Sequence, residues 1–239
     1  MAKVALVFPP FWDPSYPYLS LPLLSAFLKQ HGHYCTKVDL NLKFIYELFS
    51  PQFISLMAQR VENALSSTTE CQTSMKNQRS LRTSLLVASA INKEEVIESA
   101  QRAVKTLKHS ELFFNRKELK QAYDSIDLVA ALFRGAYWPA HFRLPEWSIE
   151  IGDSGISSVD ALNLAKDDVN NPFLPFMASF TREELPSDVQ IIGISISYPQ
   201  LVPALTLARQ IRLAGHSAKI VLGGGLVAKI LPGILGNSE

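Results

Sequence analysis

The chain has 239 residues, enough for one sizeable core or a core with a smaller companion. With 47% hydrophobic residues, 19% charged residues and a net charge of +1, it has the make-up of an ordinary globular protein, and nothing points to nucleic acid or an anionic membrane as a partner. Its two cysteines, Cys35 and Cys71, offer neither a metal-ligand spacing nor a disulfide framework, and the apolar start is cut at Pro9 and Pro10, too early for a signal peptide or a membrane span; a cytoplasmic location is expected.

In chain order, Lys3 to Phe8 is a continuous apolar run without alternation, the mark of a central parallel strand buried on both faces. Pro9 to Tyr18 holds four prolines, which exclude a helix and predict an extended loop. Its four aromatics, Phe11, Trp12, Tyr16 and Tyr18, either pack down as a hydrophobic flap or wall a ligand pocket, since the loop leaves the carboxyl end of a strand. A helix follows from an N-cap at Ser20, with Pro22 in its first turn, through Leu23, Leu24, Phe27 and Leu28 to Gly32. Tyr34 to Leu40 reads as the second strand, so the chain opens with a βαβ unit. Asp39 stands where an acidic residue meets a ribose in dinucleotide-binding sheets, but no G-x-G-x-x-G precedes it, which argues against such a site. His31 and His33 flank Gly32 at a helix end, where cations suit the dipole, and read as solvated residues and not as ligands.

From Leu42 the alternation stops, and residues 42–187 are expected to form a helical insertion, too apolar to be a disordered linker. Phe44 to Ala64 has helical periodicity with a kink or break at Pro51. Ser66 to Gln78, rich in Ser, Thr, Asn and Gln, reads as a loop or a frayed helix end. Leu81 to Leu107 is helical again, with Asn92 restarting a helix ahead of Glu94 and Glu95. Arg116 to Ala136 is another helix, with Lys117, Glu118 and Lys120 on its solvated face. Tyr137-Trp138-Pro139 and Leu144 to Trp147 mark irregular, aromatic connections. Short helices are predicted from a cap at Ser157 or Ser158 to Asp168, and after Asn171-Pro172 as far as Glu184.

Val189 to Gly225 is the most informative stretch. Val189 to Ser197 is an apolar strand broken at Tyr198 and Pro199. Gln200 to His216 is a helix with Leu201, Leu205, Ala208 and Ile211 on one face, stopped at Gly215. Ala218 to Leu222 is a second strand that runs into Gly223, Gly224 and Gly225. Strand, helix and strand at this length make a βαβ unit with parallel strands and a right-handed crossover. The expected fold is therefore a flavodoxin-like or Rossmann-like α/β domain formed by residues 1–41 and 188–239, with the first strand between the second and the 190–197 strand. Leu226 to Leu235 is expected to be a short helix broken at Pro232, and the domain is expected to continue beyond Glu239.

Val4 to Pro10, Leu21 to His33, Val38 to Asn41, Val189 to Ser197, Gln200-Leu201 and Ile220 to Gly225 together resemble the amino-terminal B12-binding-type domain of cobalamin-dependent radical S-adenosylmethionine proteins. The insertion, with its Asn171-Pro172-Phe173, resembles the branch associated with maturation of ribosomal peptides. The resemblance implies a cobalamin-binding module of a methyltransferase or peptide maturase, a peptide substrate, and a radical barrel beyond Glu239 holding S-adenosylmethionine and an iron–sulfur (4Fe–4S) cluster. Cys35 and Cys71 cannot supply the family's Cys-x3-Cys-x2-Cys, so this chain alone is expected to hold no cluster and to be without catalysis of its own. The B12 signature Asp-x-His-x-x-Gly is also missing. The first loop has Asp13 but no histidine, so a bound cobalamin's cobalt, the metal ion implied for this chain itself, is expected to lack a histidine ligand from it.

A corrinoid's nucleotide tail is long and anionic at its phosphate, and it needs close approach to backbone. Gly223, Gly224 and Gly225 allow that approach, or else form a tight turn. Ser195 and Ser197 either donate hydrogen bonds to the tail or only cap the next helix. Gln200 and the following helix's amino end point to the same place. Phe11, Trp12, Tyr16 and Tyr198 are the expected wall for the ring. Two other readings stand beside this one: a cofactor-free interaction module that binds a peptide or protein partner, and a flavodoxin-like enzyme with another phosphate-bearing ligand.

Overall fold

The computed structural model describes residues 1–14, 16, 18–66, 75–143, 148–151, 157–225 and 227. In chain order the elements are β1 (Lys3–Phe8), α1 (Ser20–Gln30), β2 (Tyr34–Asp39), α2 (Leu40–Leu48), α3 (Pro51–Ser66), α4 (Met75–Ser89), α5 (Lys93–Lys108), α6 (Ser110–Phe113) and α7 (Arg116–Ala136). Then come β3 (Ala140–Arg143), β4 (Ser148–Ile151), α8 (Ser158–Lys166), α9 (Leu174–Glu183), β5 (Ile191–Ser195), a 3-10 turn (Tyr198–Gln200), α10 (Leu201–Leu213) and β6 (Lys219–Gly223).

The main sheet is parallel throughout, in the order β2-β1-β5-β6. As the apolar run requires, Val4 to Phe8 are all buried. Among the described residues the insertion contributes no strand to this sheet; β3 and β4, not expected from the sequence, pair with each other. Register puts Leu6 beside Lys37 on one side and Gly193 on the other, and Gly193 beside Val221. The pleat sends Val4, Leu6 and Phe8 to one face, where Leu21 of α1 and Cys35 of β2 close a small core over them. The β1-to-β2 and β5-to-β6 crossovers run in opposite directions along the sheet. With both right-handed, α10 lies on the face opposite α1, and its Ala204, Leu207 and Ile211 are fully buried.

The chain divides into two compact units, Met1–Phe44 with Pro145–Ile149 and Ser154–Glu239, and Ile45–Leu144 with Glu150–Asp153. The helical body is thus narrower than the expected 42–187, because α8 and α9 pack on α10 and belong with the sheet. Asn171 makes that attachment. Its amide donates to Thr206 Oγ1 (2.9 Å) on α10 and its side-chain carbonyl accepts from Phe173 N (3.0 Å) at the start of α9, all in buried surroundings. Burying an amide is costly unless both of its ends are paired, and here they are.

In the second unit α3, α4 and α5 pack on the long α7. Asn92 caps α5 by accepting from Glu95 N, as predicted, and Asn115 caps α7 in the same way. Pro51 is a break and not a kink: α2 stops at Leu48, Pro51 opens α3, and Ser50 Oγ accepts from Phe53 N. Met75 to Gln78, expected to be loop, begins α4; residues 67–74 lie outside the described residues, as do Leu144 to Trp147 and all of Leu226 to Leu235 except Val227. Ser157 caps α8 in a capping box with Asp160.

Tyr137 ends α7 almost fully buried, under the Arg60 guanidinium 4.4 Å from its ring, and its hydroxyl finds no hydrogen-bond partner among the described residues. Burial raises this phenol above its ordinary 10.0, against a smaller opposing pull from Arg60. The folded chain therefore keeps a proton that the unfolded chain releases. The associated stability is full below pH 10.0 and is lost as pH climbs through the raised value. Tyr137→Phe removes both the orphaned hydroxyl and the alkaline loss. Urea melts are expected to show neutral-pH stability unchanged or raised by up to about 1 kcal/mol, with a shallower fall at alkaline pH than in wild type.

Candidate functional site

Three loops meet at the carboxyl edge of the sheet, after β1, β5 and β6. The first is held by an unusual residue. Phe11 adopts a left-handed backbone (φ 71°), costly for a bulky side chain. Its ring is buried against Phe173 (5.2 Å, edge-on) and Phe44 (5.8 Å). On its carboxyl side Asn41, itself buried, accepts from Trp12 N (3.0 Å) and donates back to Trp12 O (2.9 Å), like one rung of a sheet. Phe11 is thus buried as an anchor where a pocket wall was expected, because a left-handed turn at this position directs the ring inward.

Gln200 also departs from its expected role. It is fully buried, its Nε2 donates to Pro9 O, and its Oε1 accepts from Ser197 N (2.9 Å). One amide thereby ties the β1 loop to the β5 loop, and both of its ends are in use. Tyr198 opens the 3-10 turn between Ser197 and Gln200.

Ser195 is buried, and its Oγ lies 3.0 Å from Ser20 Oγ and 3.3 Å from Tyr18 OH. Tyr18 stacks on Phe8 (4.0 Å) and meets Trp12 edge-on (5.4 Å). The aromatic loop and the end of β5 therefore touch through Tyr18 and through Ser20, which is the first residue of α1 and not its expected N-cap, a place that Leu19 takes. Trp12 is half-buried, with Nε1 donating to Tyr16 O (3.0 Å), and Tyr16 is exposed.

The three glycines differ. Ile196 N donates to Gly223 O (2.7 Å), extending the β5–β6 pairing. Gly224 has φ 130°, and a Cβ there would stand 1.9 Å from Ile196 O, so the close approach of the two loops is itself the reason for this glycine. At Gly223 and Gly225 a Cβ would meet nothing within 4 Å.

Beyond β2, the loop and the strand end enclose a cleft of about 360 Å³ lined by Phe8, Trp12, Tyr16, Tyr18, Lys37 and Asp39 among others. Asp39 Oδ1 accepts from Leu42 N (3.0 Å) and so starts α2. His31 and His33 serve locally, through Phe27 O and Ala2 N. Among the described residues no cluster of histidine, cysteine or carboxylate side chains could hold a metal ion, and no helix is long and apolar enough to cross a membrane.

The fold and this edge define an α/β protein with a Rossmann-like parallel sheet and an open carboxyl edge. No family model matches the chain, nor does any curated protein or solved structure.

The glycines allow a direct check. Gly224→Ala is expected to cost at least about 2 kcal/mol in chemical denaturation, since its Cβ collides with backbone at an unfavourable φ, while Gly223→Ala stays within about 0.5 kcal/mol. Equal costs at the two positions would contradict the assignment.

Proposed function

We propose that the sheet unit is a cobalamin-binding module of the kind found in radical S-adenosylmethionine methyltransferases and peptide maturases. The nucleotide tail runs along Ser195, Ser197, Gly223 and Gly225, and the ring rests toward Trp12 and Tyr16. The observation that carries this reading is the open space at Gly223 and Gly225, beside Ser195, at the carboxyl ends of adjacent parallel strands. A tail there lies near the amino end of α10, whose helix dipole favours a phosphate. Backbone approach and a helix terminus suit that part of the ligand. Gln200 and Phe11 take no part, being occupied in holding the loops. When bound, cobalamin supplies methyl-transfer chemistry, and the protein's share is binding and orientation. The radical step needs a cysteine triad that Cys35 and Cys71 do not make.

A second reading, the cofactor-free interaction module, is favoured by one specific observation. Ser20 faces Ser195 across the α1–β5 gap, and the same flank of α1 exposes Leu23 (67%), Leu24 (44%) and Phe27 (58%). By the pleat, the neighbouring sheet surface includes Gly193 and Val221, the latter 53% exposed. An apolar flank beside bare sheet suits a peptide or protein partner.

Gel filtration after incubation with hydroxocobalamin, read by visible absorption, separates the two. Wild type is expected to retain the corrinoid at one equivalent. Gly225→Val should lose at least about tenfold in affinity, because its side chain enters the tail's path, and His33→Ala should bind as wild type does. Absence of retention by the folded wild type would overturn the cofactor reading in favour of the interaction module.

A further inference from the structure

We propose that the cleft between β2 and the loop after β1 is a binding site in its own right, for a small aromatic zwitterion of the aromatic amino-acid class. Its volume of about 360 Å³ is far too small to enclose a corrin ring, which on the proposed reading rests over Trp12 and Tyr16 outside it, and is at the lower end of the roughly 300–1,000 Å³ of small-ligand pockets. A molecule of about a dozen non-hydrogen atoms fills it.

The aromatic requirement comes from the walls. Phe8 and Tyr18 stack at the floor, and Trp12 stands edge-on to both (6.3 and 5.4 Å). The Trp12 indole is fixed by its bond to Tyr16 O and its backbone by Asn41. These three rings line one wall of the cleft and suit a planar ring beside them.

The charge requirement comes from β2. Lys37 and Asp39 are two residues apart, so both side chains leave the same face of the strand, and both are exposed. The Lys37 side chain makes no ion pair or hydrogen bond among the described residues. Asp39 commits one oxygen to Leu42 N and has the other to offer. A ligand carrying a carboxylate for Lys37 and an ammonium for Asp39 satisfies both.

Equilibrium dialysis with radiolabelled L-phenylalanine, on the whole chain with cobalamin absent, tests the assignment separately from the cofactor reading. Saturable binding at one equivalent is expected. Phenethylamine, which lacks the carboxylate, and 3-phenylpropionate, which lacks the ammonium, should compete at least about fivefold less well. Lys37→Gln should bring phenylalanine down to the affinity of phenethylamine and leave phenethylamine unchanged. Asp39→Asn, which keeps an oxygen for Leu42 N, should do the same toward 3-phenylpropionate. No saturable binding by the folded wild type overturns the proposal. So does better competition by adenosine monophosphate than by phenylalanine, or wild-type phenylalanine affinity in Lys37→Gln.

Discussion

A strand without a polar face has to be covered on every side, and β1 is that strand. Its residues from Val4 to Phe8 are buried, which requires a strand at each edge and helices on both faces. β2 and β5 supply the edges, and opposite-running right-handed crossovers supply α1 and α10. Everything of functional interest follows from this arrangement. Parallel strands all end on the same side, so the loops after β1, β5 and β6 are forced together there, and so are their aromatics, hydroxyls and glycines.

Bringing loops together is not enough to shape a site, because loops have backbone groups to satisfy and freedom to lose. Two buried amides deal with both. Gln200 joins Pro9 O to Ser197 N, and Asn41 closes on both backbone groups of Trp12. Each amide has its donor and acceptor paired, so its burial is tolerated and the loops are fixed by it. The left-handed Phe11 is stable only inside this frame, with its ring between Phe44 and Phe173. The same frame leaves Trp12 half-buried and Tyr16 exposed, so the anchored and the accessible rings are consequences of one turn.

Much of the sheet is legible in the sequence. Val-Ala-Leu-Val-Phe at 4–8 has no alternation and can only be central, and the 189–225 stretch has strand, helix and glycine stop at βαβ spacing. Asn92 and Ser157 are legible as caps because capping depends on three or four neighbouring residues. The limits are equally physical. Phe11 and Trp12 are adjacent and chemically alike, and only a backbone dihedral decides which one is buried. Gln200 has the look of a ligand donor beside Ser197, yet its partner Pro9 is 191 positions away. Gly223 and Gly224 are the same residue, and only the position of Ile196 O separates them. The boundary of the helical body is not legible, because α8 and α9 look like the helices before them; their attachment rests on Asn171 reaching Thr206. Lys37 and Asp39 share a strand face by simple alternation, a signal present in the sequence whose meaning waits on the cleft beside it.

The central claim is that the carboxyl edge of this sheet, and not the helical unit, receives the corrinoid. Hydrogen–deuterium exchange with and without hydroxocobalamin examines every described amide at once. The account predicts slower exchange on binding for the amides of Ser197, Tyr198, Gln200 and Leu201 and at Gly223 to Gly225, with α3, α4, α5 and α7 unchanged. Protection confined to the helices, or none at the edge under saturating cobalamin, would contradict it.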